Sequence, residues 1–154
     1  MIDYHSEKKM IIEHDELSAL VPHKGKMFII DRISDSNPNE WTIESQTIIT
    51  RNFMFYDEKL DAAPNYACFE IIAQTISALT GLYARENGLP PKMGFILSVS
   101  NLHFEFDSIK EGQVVTARAK REAAVDNVYS FTAELLLDGN PAGSGKLTVM
   151  EASE

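Results

Sequence analysis

The sequence predicts an α+β domain in which one long buried helix packs against an antiparallel sheet. Two observations lead to this prediction. One stretch has the length and apolar pattern of an enclosed helix, and four strand-like segments follow it in succession, joined by short turns. The 154 residues contain no internal repeat, low-complexity tract or linker rich in proline and glycine. We therefore expect a single domain over residues 1–154.

The segment before the long helix predicts a short helix and then a hairpin. Residues 14–20 carry a possible N-cap at Asp15 and leucines three positions apart, which indicates a short helix. Residues 27–35 and 40–49 are rich in β-branched and aromatic side chains, and the turn-forming sequence SNPN lies between them. This pattern is typical of a β-hairpin. Residues 50–63 show no clear period and are predicted to form a loop or an irregular strand.

The long helix is predicted from Pro64 to about Glu86, where the sequence NGLPP ends the pattern. Apolar residues cover most of its circumference, as expected of a helix enclosed by other structure. Cys68 is interpreted as a small buried hydrophobic residue rather than a nucleophile. One carboxylate, Glu70, interrupts the apolar surface in what we expect to be the second turn. Because glutamate is rarely buried without a partner, Glu70 is the first candidate functional residue.

The chain after Pro91 predicts four consecutive strands. In the first of them Leu102, Phe104 and Phe106 alternate with polar residues, which indicates one buried and one exposed face. Asp138-Gly139 is typical of a type I′ hairpin turn. Short turns between successive strands predict antiparallel pairing. The predicted strands are residues 94–106, 113–122, 128–137 and 143–150.

Composition and charge exclude several classes of function. The formal net charge of −9 argues against a general nucleic-acid binder, because phosphate contacts require clustered lysine and arginine. No stretch resembles a signal peptide or a membrane span, and the single cysteine agrees with a reducing compartment. We therefore expect a cytoplasmic protein that does not enter a membrane.

Two stretches resemble the 3-hydroxyacyl-[acyl-carrier-protein] dehydratases of fatty-acid synthesis. VPHKGKMFIIDRI (21–33) is similar to the family's Leu-Pro-His-x-x-Pro-Phe/Met-Leu-Leu-Val-Asp-Arg-Val segment. PNYACFEIIAQT (64–75) is similar to its Pro-Gly-x-x-x-x-Glu-x-x-Ala-Gln helix. The resemblance covers about residues 15–150 and implies the hot-dog fold, a curved antiparallel sheet wrapped around one long central helix. The matching positions are Pro22, His23, Asp31, Arg32, Pro64, Glu70, Ala73 and Gln74.

The resemblance also implies an activity, the dehydration of a 3-hydroxyacyl thioester to a trans-2-enoyl thioester without a cofactor. This reaction requires a base that removes a proton from C2 and an acid that protonates the departing C3 hydroxyl. Glu70 is the implied acid, since apolar surroundings favour a protonated carboxyl. Gln74, one turn later, is expected to orient this carboxyl or the substrate. Asn65 and Tyr66, at the helix start, are expected to contact the substrate.

The family's usual base is missing from this chain. In the family a Gly-His-Phe-Pro-Gly motif precedes the helix, and counting back from Pro64 places Tyr56 at its histidine position. A divergent subgroup, associated with aryl-polyene pigment clusters, also lacks this motif, and the chain resembles that subgroup most. His23 is the remaining candidate base. Tyr56 is interpreted as a hydrogen-bond donor to the substrate or as a packed aromatic residue.

The remaining histidines and the basic residues bear on metals and partners. His5, His14 and His103 are interpreted as surface residues, and no spacing indicates a metal site.

The implied substrate carrier is an acyl carrier protein or coenzyme A, and the implied assembly is a homodimer or a heterodimer with a paralogue. Because carrier proteins are acidic, docking requires a local basic patch. Its candidates are Lys24, Lys26, Arg51 and Lys92.

Two alternative functions remain open at the level of sequence. Loss of the usual histidine fits a non-catalytic subunit that supports an active paralogue in a hot-dog heterodimer. A hot-dog acyl thioesterase would instead use the helix carboxylate to activate water, and it would release a free thiol rather than an enoyl thioester.

Overall fold

The computed structural model of the protein describes residues 11–17, 20, 27–90, 92 and 94–152. These residues form a seven-stranded antiparallel sheet of order β1-β2-β3-β7-β8-β9-β5, and β4 pairs with β6 in a second, two-stranded sheet. Two α-helices, α1 and α2, and a 3-10 helix at Pro38–Glu40 complete the fold of the described residues. The elements are β1 (Ile12–Glu13), α1 (His14–Leu17), β2 (Arg32–Asn37), β3 (Thr42–Ile48), β4 (Ala63–Pro64), α2 (Ala67–Glu86), β5 (Gly94–Phe104), β6 (Ser108–Ile109), β7 (Val114–Val125), β8 (Val128–Leu137) and β9 (Asn140–Glu151).

Helix α2 is the core of the molecule, as predicted, and it packs against β3 and β7 in the middle of the large sheet. Its apolar side chains join those of the sheet in one hydrophobic cluster. By length and composition α2 is also the one described helix that matches a membrane span, but 61% of that stretch is buried inside the protein. The buried residues of α2 are Ala67, Cys68, Ile71, Ile72, Gln74, Thr75, Ile76, Ala78, Leu79, Leu82 and Ala84.

Several predicted boundaries differ from the observed ones, and two of these differences have a specific hydrogen-bonding reason. The long helix begins at Ala67 rather than Pro64, because Ala63 and Pro64 form β4 and pair with β6. The first strand of the hairpin begins at Arg32 rather than residue 27, because polar groups of the backbone just before it bond to α2. Local secondary-structure propensity cannot predict either contact, because each joins residues that are far apart in the sequence.

The turn between β8 and β9 has the conformation that its residue types predict. Asp138 and Gly139 have φ angles of 50° and 83°, so both turn residues are left-handed, as a type I′ hairpin requires. β8 ends at Leu137 and β9 begins at Asn140, and these two residues are cross-strand partners. The predicted two-residue hairpin between β8 and β9 is confirmed.

A cluster of aromatic rings closes the end of the molecule that lies at the C-terminal end of α2. Trp41 lies against Tyr83 of α2, with ring centroids 4.4 Å apart. The guanidinium of Arg121 lies 3.7 Å from the centre of the Trp41 ring and 4.9 Å from that of Tyr129. Cation–π contacts of this kind stabilise the packing. The cluster therefore ties the β2–β3 hairpin to β7, β8 and the helix.

A pair of buried hydroxyl groups joins β3 to α2. The hydroxyl of Thr75 donates to the carbonyl of Ile71 at 2.7 Å, and its oxygen lies 2.7 Å from the Ser45 hydroxyl. Since a hydroxyl has one hydrogen, Ser45 must donate to Thr75. Both side chains are fully buried. Ser45 therefore depends on Thr75 for its hydrogen bond, while Thr75 keeps a partner of its own.

We expect Thr75→Val to destabilise the protein by about 1–3 kcal/mol, because it leaves the Ser45 hydroxyl buried without an acceptor. Ser45→Ala should cost less, and the Ser45→Ala/Thr75→Val double variant should lose less than the two single losses added together. Urea unfolding at one fixed protein concentration measures all three. Additive losses would show that the two hydroxyls do not depend on each other.

Candidate active site

Glu70 lies in the first turn of α2, not in the second turn as predicted from the sequence. The difference follows from the later helix start, since β4 takes up Pro64, the residue that was expected to open the helix. Glu70 is half-buried. A carboxylate in the first turn interacts favourably with the positive end of the helix dipole. The helix end and the carboxyl group therefore form one polar site at the edge of an apolar core.

The start of α2 is held in place by Asn65. Its backbone N–H donates to the carbonyl of Asp107, and its side-chain amide donates to the carbonyl of Phe106, both at 3.0 Å. Its own carbonyl accepts from the N–H of Cys68 at 3.0 Å. The side chain is thus engaged in fixing the helix start to the chain after β5. Tyr66, the next residue, is 64% exposed and points its ring away from the core.

Burial makes Cys68 unreactive, in agreement with its interpretation as a small core residue. The side chain is fully buried, and burial raises the pKa of the thiol to about 12. A thiol with this pKa is protonated at neutral pH and is a poor nucleophile. Cys68 is therefore a core residue and not a candidate nucleophile.

Gln74 connects Glu70 to the segment that leads into β2. Its side-chain nitrogen donates to Oε1 of Glu70 at 3.0 Å and to the carbonyl of Met27 at 2.6 Å. Its side-chain oxygen accepts from the N–H of Ile29 at 3.0 Å. The amide orientation is unambiguous, because a flip would place oxygen against the Met27 carbonyl and nitrogen against the Ile29 N–H.

The Gln74 side chain is fully buried, and these three contacts use both of its N–H groups and its oxygen. An amide in this state holds its neighbours in place, since it has no hydrogen left for another acceptor. Residues 27–31, here named the lead-in segment, are thereby fixed beside the Glu70 carboxyl. Of the two roles expected for Gln74, orientation of the carboxyl has direct geometric support.

His23, the candidate base, lies outside the residues that the structure describes, as do Lys24 and Lys26. The described chain resumes at Met27, four residues after His23. Met27 shares the Gln74 side-chain nitrogen with Glu70. The chain that carries the candidate base thus arrives beside the candidate acid.

Tyr56 is engaged in a surface network of its own. Its hydroxyl donates to Oδ1 of Asp61 at 2.6 Å, and Arg51 forms ion pairs with Asp61 at 3.4 Å and with Glu111 at 3.2 Å. The hydrogen bond to Asp61 raises the pKa of Tyr56, and burial and the charge of Asp61 add to the rise. Tyr56 is therefore a protonated donor at neutral pH and is unsuited to act as a base.

Sequence reasoning did not single out Asp61, the partner of Tyr56. It lies five residues after Tyr56, in a segment without periodicity, and has a φ of 52°. Aspartate tolerates this left-handed conformation better than most residues. The only signal in the sequence was thus a turn-compatible residue type, which does not identify a partner.

The structure describes two histidines, His14 and His103, and each of them has contacts of its own. Nδ1 of His14 donates to the Ile30 carbonyl at 3.2 Å, and its ring stacks on Phe28 at a centroid distance of 4.6 Å. His103 lies 4.0 Å from the Glu105 carboxylate, and both side chains are 68% exposed. Within the described residues no three His, Cys, Asp or Glu side chains converge on a metal site. His5 lies outside the described part of the chain.

The described members of the predicted basic patch are paired with carboxylates. Arg51 contacts Asp61 and Glu111, and Nζ of Lys92 lies 3.9 Å from Glu151. The pairs of Arg51 are largely exposed and contribute little to stability, but all three pairs reduce the net positive potential at their sites. Arg51 and Lys92 therefore offer an acidic partner less attraction than their charges alone suggest.

A cavity of about 300 Å³ borders the lead-in segment on the side of the loop that follows β3. At its polar end, Asp31 accepts a hydrogen bond from the N–H of Ile48 at 2.6 Å. Five of its eight lining residues are apolar, so it suits an apolar group better than a charged one. The cavity is lined by Phe28, Ile29, Asp31, Ile48, Thr50, Asn52, Phe53 and Met54.

The chain is similar to known dehydratases over nearly its whole length. A 3-hydroxyacyl-[acyl-carrier-protein] dehydratase FabZ from Rickettsia bellii (strain RML369-C) is 23% identical over 145 residues, covering 92% of this chain and 97% of the relative. The enzyme of the same name from Xanthomonas oryzae pv. oryzae is 21% identical over 153 residues, covering 97% and 99%.

Solved structures share the fold. A chain of the dehydratase heterocomplex ApeI:P from Xenorhabdus doucetiae superposes with a TM-score of 0.81 and 16% identity, covering 90% of this chain and 91% of that one. A hypothetical thioesterase with coenzyme A from Streptococcus pneumoniae TIGR4 reaches a TM-score of 0.61 at 10% identity, covering 79% and 85%. The predicted hot-dog fold is confirmed.

The family model of the ApeP-like proteins, described as ApeP dehydratase, matches residues 15–154. This match begins within α1 and includes α2 and every strand from β2 to β9. The thioesterase structures, in contrast, share the fold at lower TM-scores. The chain belongs to the ApeP-like dehydratase family and is a hot-dog dehydratase.

Proposed function

We propose that the protein converts 3-hydroxyacyl thioesters, carried on an acyl carrier protein, to trans-2-enoyl thioesters during polyene-type or fatty-acid biosynthesis in the cytoplasm. The observation that carries this proposal is the Glu70–Gln74 pair at the start of a buried helix, in a chain that matches the ApeP-like dehydratases. Coenzyme A thioesters present the same three reacting carbons, and a direct rate comparison between the two carriers decides which is preferred.

Glu70 is proposed as the acid that protonates the departing C3 hydroxyl. Its hydrogen bond from Gln74 restricts the carboxyl to one orientation, which a proton transfer in the transition state requires. The helix start at Ala67, one turn earlier, presents backbone N–H groups that stabilise negative charge on the thioester oxygen. Tyr66, exposed at that start, is the described side chain that we propose contacts the substrate.

His23 is proposed as the base that removes the C2 proton. Two observations support this assignment. The lead-in segment that follows His23 is bound to Gln74 beside Glu70, and Tyr56, at the position of the family's usual histidine, is a protonated donor to Asp61. Gln74 and Asn65 are then positioning residues rather than substrate ligands, because their side-chain amides bond to the protein itself.

We expect His23→Ala and Glu70→Gln each to lower the rate of enoyl formation by about a hundredfold to ten-thousandfold while the fold is retained. Glu70→Gln keeps the shape of the side chain but removes the acidic proton. The measurement is mass spectrometry of a short 3-hydroxyacyl thioester, which separates loss of water from loss of the acyl group. His103→Ala, an exposed histidine on β5, is the matched control and should leave the rate unchanged.

Full activity of either variant would remove that residue from the mechanism. Release of free thiol without enoyl product would instead establish the thioesterase alternative, in which His23 is dispensable.

A second candidate function is supported by the match to a chain of the ApeI:P heterocomplex. In this alternative the protein is one subunit of a heterodimer with a hot-dog paralogue, and the base comes from the paralogue. The engagement of Tyr56 with Asp61 is equally consistent with it, since this chain then needs no base of its own.

Activity of the purified chain alone and with a co-expressed paralogous dehydratase decides between the two assemblies. The leading proposal predicts turnover by the chain alone, as a homodimer. The alternative predicts turnover only with the paralogue, and then loss of activity on Glu70→Gln but not on His23→Ala. Size-exclusion chromatography with light scattering reports which assembly is present in each assay.

The Tyr56 network yields a prediction that requires no substrate. Asp61→Asn should lower the pKa of Tyr56, because it removes both the charged acceptor and the negative charge that raise it. The tyrosinate absorbance is titrated at alkaline pH in this variant, and the Tyr56→Phe variant identifies the signal of Tyr56 by difference. An unchanged titration would show that Asp61 does not hold the phenol in its protonated form.

A further inference from the structure

Arg121 lies over two aromatic rings near the C-terminal end of α2. Its guanidinium carbon is 3.7 Å from the centre of the Trp41 ring and 4.9 Å from that of Tyr129. These two rings are nearly parallel, with an interplanar angle of 17° and centroids 6.5 Å apart. Tyr83 of α2 supports Trp41 at a centroid distance of 4.4 Å. The guanidinium is therefore held in position by the faces of aromatic rings.

Arg121 differs from the other four arginines of the chain, because it has no carboxylate partner among the described residues. An arginine side chain carries five N–H donors and no acceptor. Within the described part of the chain, none of those donors of Arg121 is used in a hydrogen bond or an ion pair. The other arginines form the ion pairs Arg32–Glu13, Arg51–Asp61, Arg51–Glu111, Arg85–Glu16 and Arg118–Glu44.

The Arg121 guanidinium is half-buried without a counter-ion at hydrogen-bond distance. Burial lowers the pKa of Arg121, because it removes part of the water that stabilises the charge. The charge of Glu151 acts in the opposite direction, but this carboxylate is paired with Lys92 at 3.9 Å. A guanidinium stays charged in proteins. An anionic partner would therefore restore stabilisation that burial takes away.

The chemistry of Arg121 and its neighbours fits a carboxylate on a protein surface. A planar guanidinium binds a carboxylate through two parallel hydrogen bonds. A guanidinium already held on ring faces loses less conformational freedom on binding than a free side chain does. Arginine, tryptophan and tyrosine are also the residue types that are enriched among the strongest contacts of protein interfaces. The cluster thus has the composition of a docking site for an acidic protein.

The proposed substrate carrier is such a protein. This chain has a formal net charge of −9, so an acidic carrier is repelled at long range. Docking requires a cation that no carboxylate of the chain neutralises. Arg51 and Lys92 do not meet this condition, because both are paired. Arg121 meets it.

A second subunit fits a different surface of the molecule. Permanent subunit contacts bury apolar side chains. Strand β5, at one edge of the sheet, exposes Phe95, Ile96, Leu97 and Val99. β8 and β9 lie between β5 and β7, the strand of Arg121, so the two strands are about 14 Å apart. A subunit on the β5 edge would therefore leave Arg121 available to a transient partner.

We propose that Arg121, Trp41 and Tyr129 form a docking site for an acyl carrier protein, in which the Arg121 guanidinium binds a carboxylate of the carrier. The rings hold the guanidinium in place, and its unused N–H groups supply the hydrogen bonds. The inference rests on the proposed function, which supplies the acidic carrier.

The test is Arg121→Met in the full chain. Methionine keeps a long apolar side chain against the rings, but it removes the charge and the N–H donors. Isothermal titration calorimetry with a purified bacterial holo-acyl carrier protein should show about tenfold weaker binding than for wild type. The KM for a 3-hydroxyacyl group on this carrier should rise by a similar factor. For the same acyl group on N-acetylcysteamine, which has no carrier protein, kcat/KM should not change.

Arg85→Gln is the matched control, because it removes the same charge from an arginine that Glu16 already neutralises. It should leave carrier binding and both rates as in wild type. Wild-type carrier affinity in Arg121→Met, with only a lower melting temperature, would show that the cluster is purely structural and would overturn the proposal.

Two further results would overturn the proposal by assigning Arg121 to another ligand. An equal rise in KM for the coenzyme A thioester would show that the site binds a phosphate, which both carriers contain. A change of oligomer mass in Arg121→Met, measured by light scattering, would assign Arg121 to a contact between subunits.

If Arg121→Met does not fold, Arg121→Lys decides the question. Lysine keeps a cation over the rings but lacks the planar fork, so carrier binding should weaken severalfold. Wild-type carrier affinity in Arg121→Lys would then overturn the proposal.

The binding measurement separates this proposal from the proposed activity. Carrier binding that depends on Arg121, in a chain that turns over no thioester, would refute the dehydration and support the docking site. Turnover of the N-acetylcysteamine thioester by a wild-type chain that does not bind the carrier would refute the docking site alone.

Discussion

One buried amide, that of Gln74, organises the polar part of an otherwise apolar helix. It satisfies the Ile29 N–H and the Met27 carbonyl, which would otherwise lie against α2 without partners, and it binds the Glu70 carboxyl with its remaining N–H. Backbone polar groups that are buried without a hydrogen-bond partner destabilise a fold. The hydrogen bonds of Gln74 therefore hold the lead-in segment to the helix. The geometry of the site depends on this connection more than on any apolar contact.

The rest of the fold keeps the helix start rigid around that connection. Asn65 fixes the first residues of α2 to the chain after β5, and the Ser45–Thr75 pair fixes its third turn to β3. Glu70 lies between these attachments, in the first turn of α2. A short polar stretch is thus held by elements on three sides, which is the arrangement that pre-organised acid catalysis requires.

Tyr56 belongs to a surface network of hydrogen bonds and ion pairs. The loop that would contain the family's histidine is stabilised here by Tyr56, Asp61, Arg51 and Glu111 on the surface. These contacts hold the loop shape without a base, and they make Tyr56 a hydrogen-bond donor. Within the described chain the proposed site is therefore confined to α2 and the lead-in segment.

The sequence by itself determined the α+β class, the long core helix, the order of the strands along the chain and the type I′ turn at Asp138-Gly139. These follow from periodicity and turn chemistry, which act over a few residues. The motif around Glu70 and Gln74 also identified the family, and the match over residues 15–154 agrees with it. The pairing of β4 with β6, the late start of β2 and the partner of Tyr56 were decided only by the tertiary structure. Each joins residues whose contact has no local signature, because it depends on where the folded chain brings a distant backbone group.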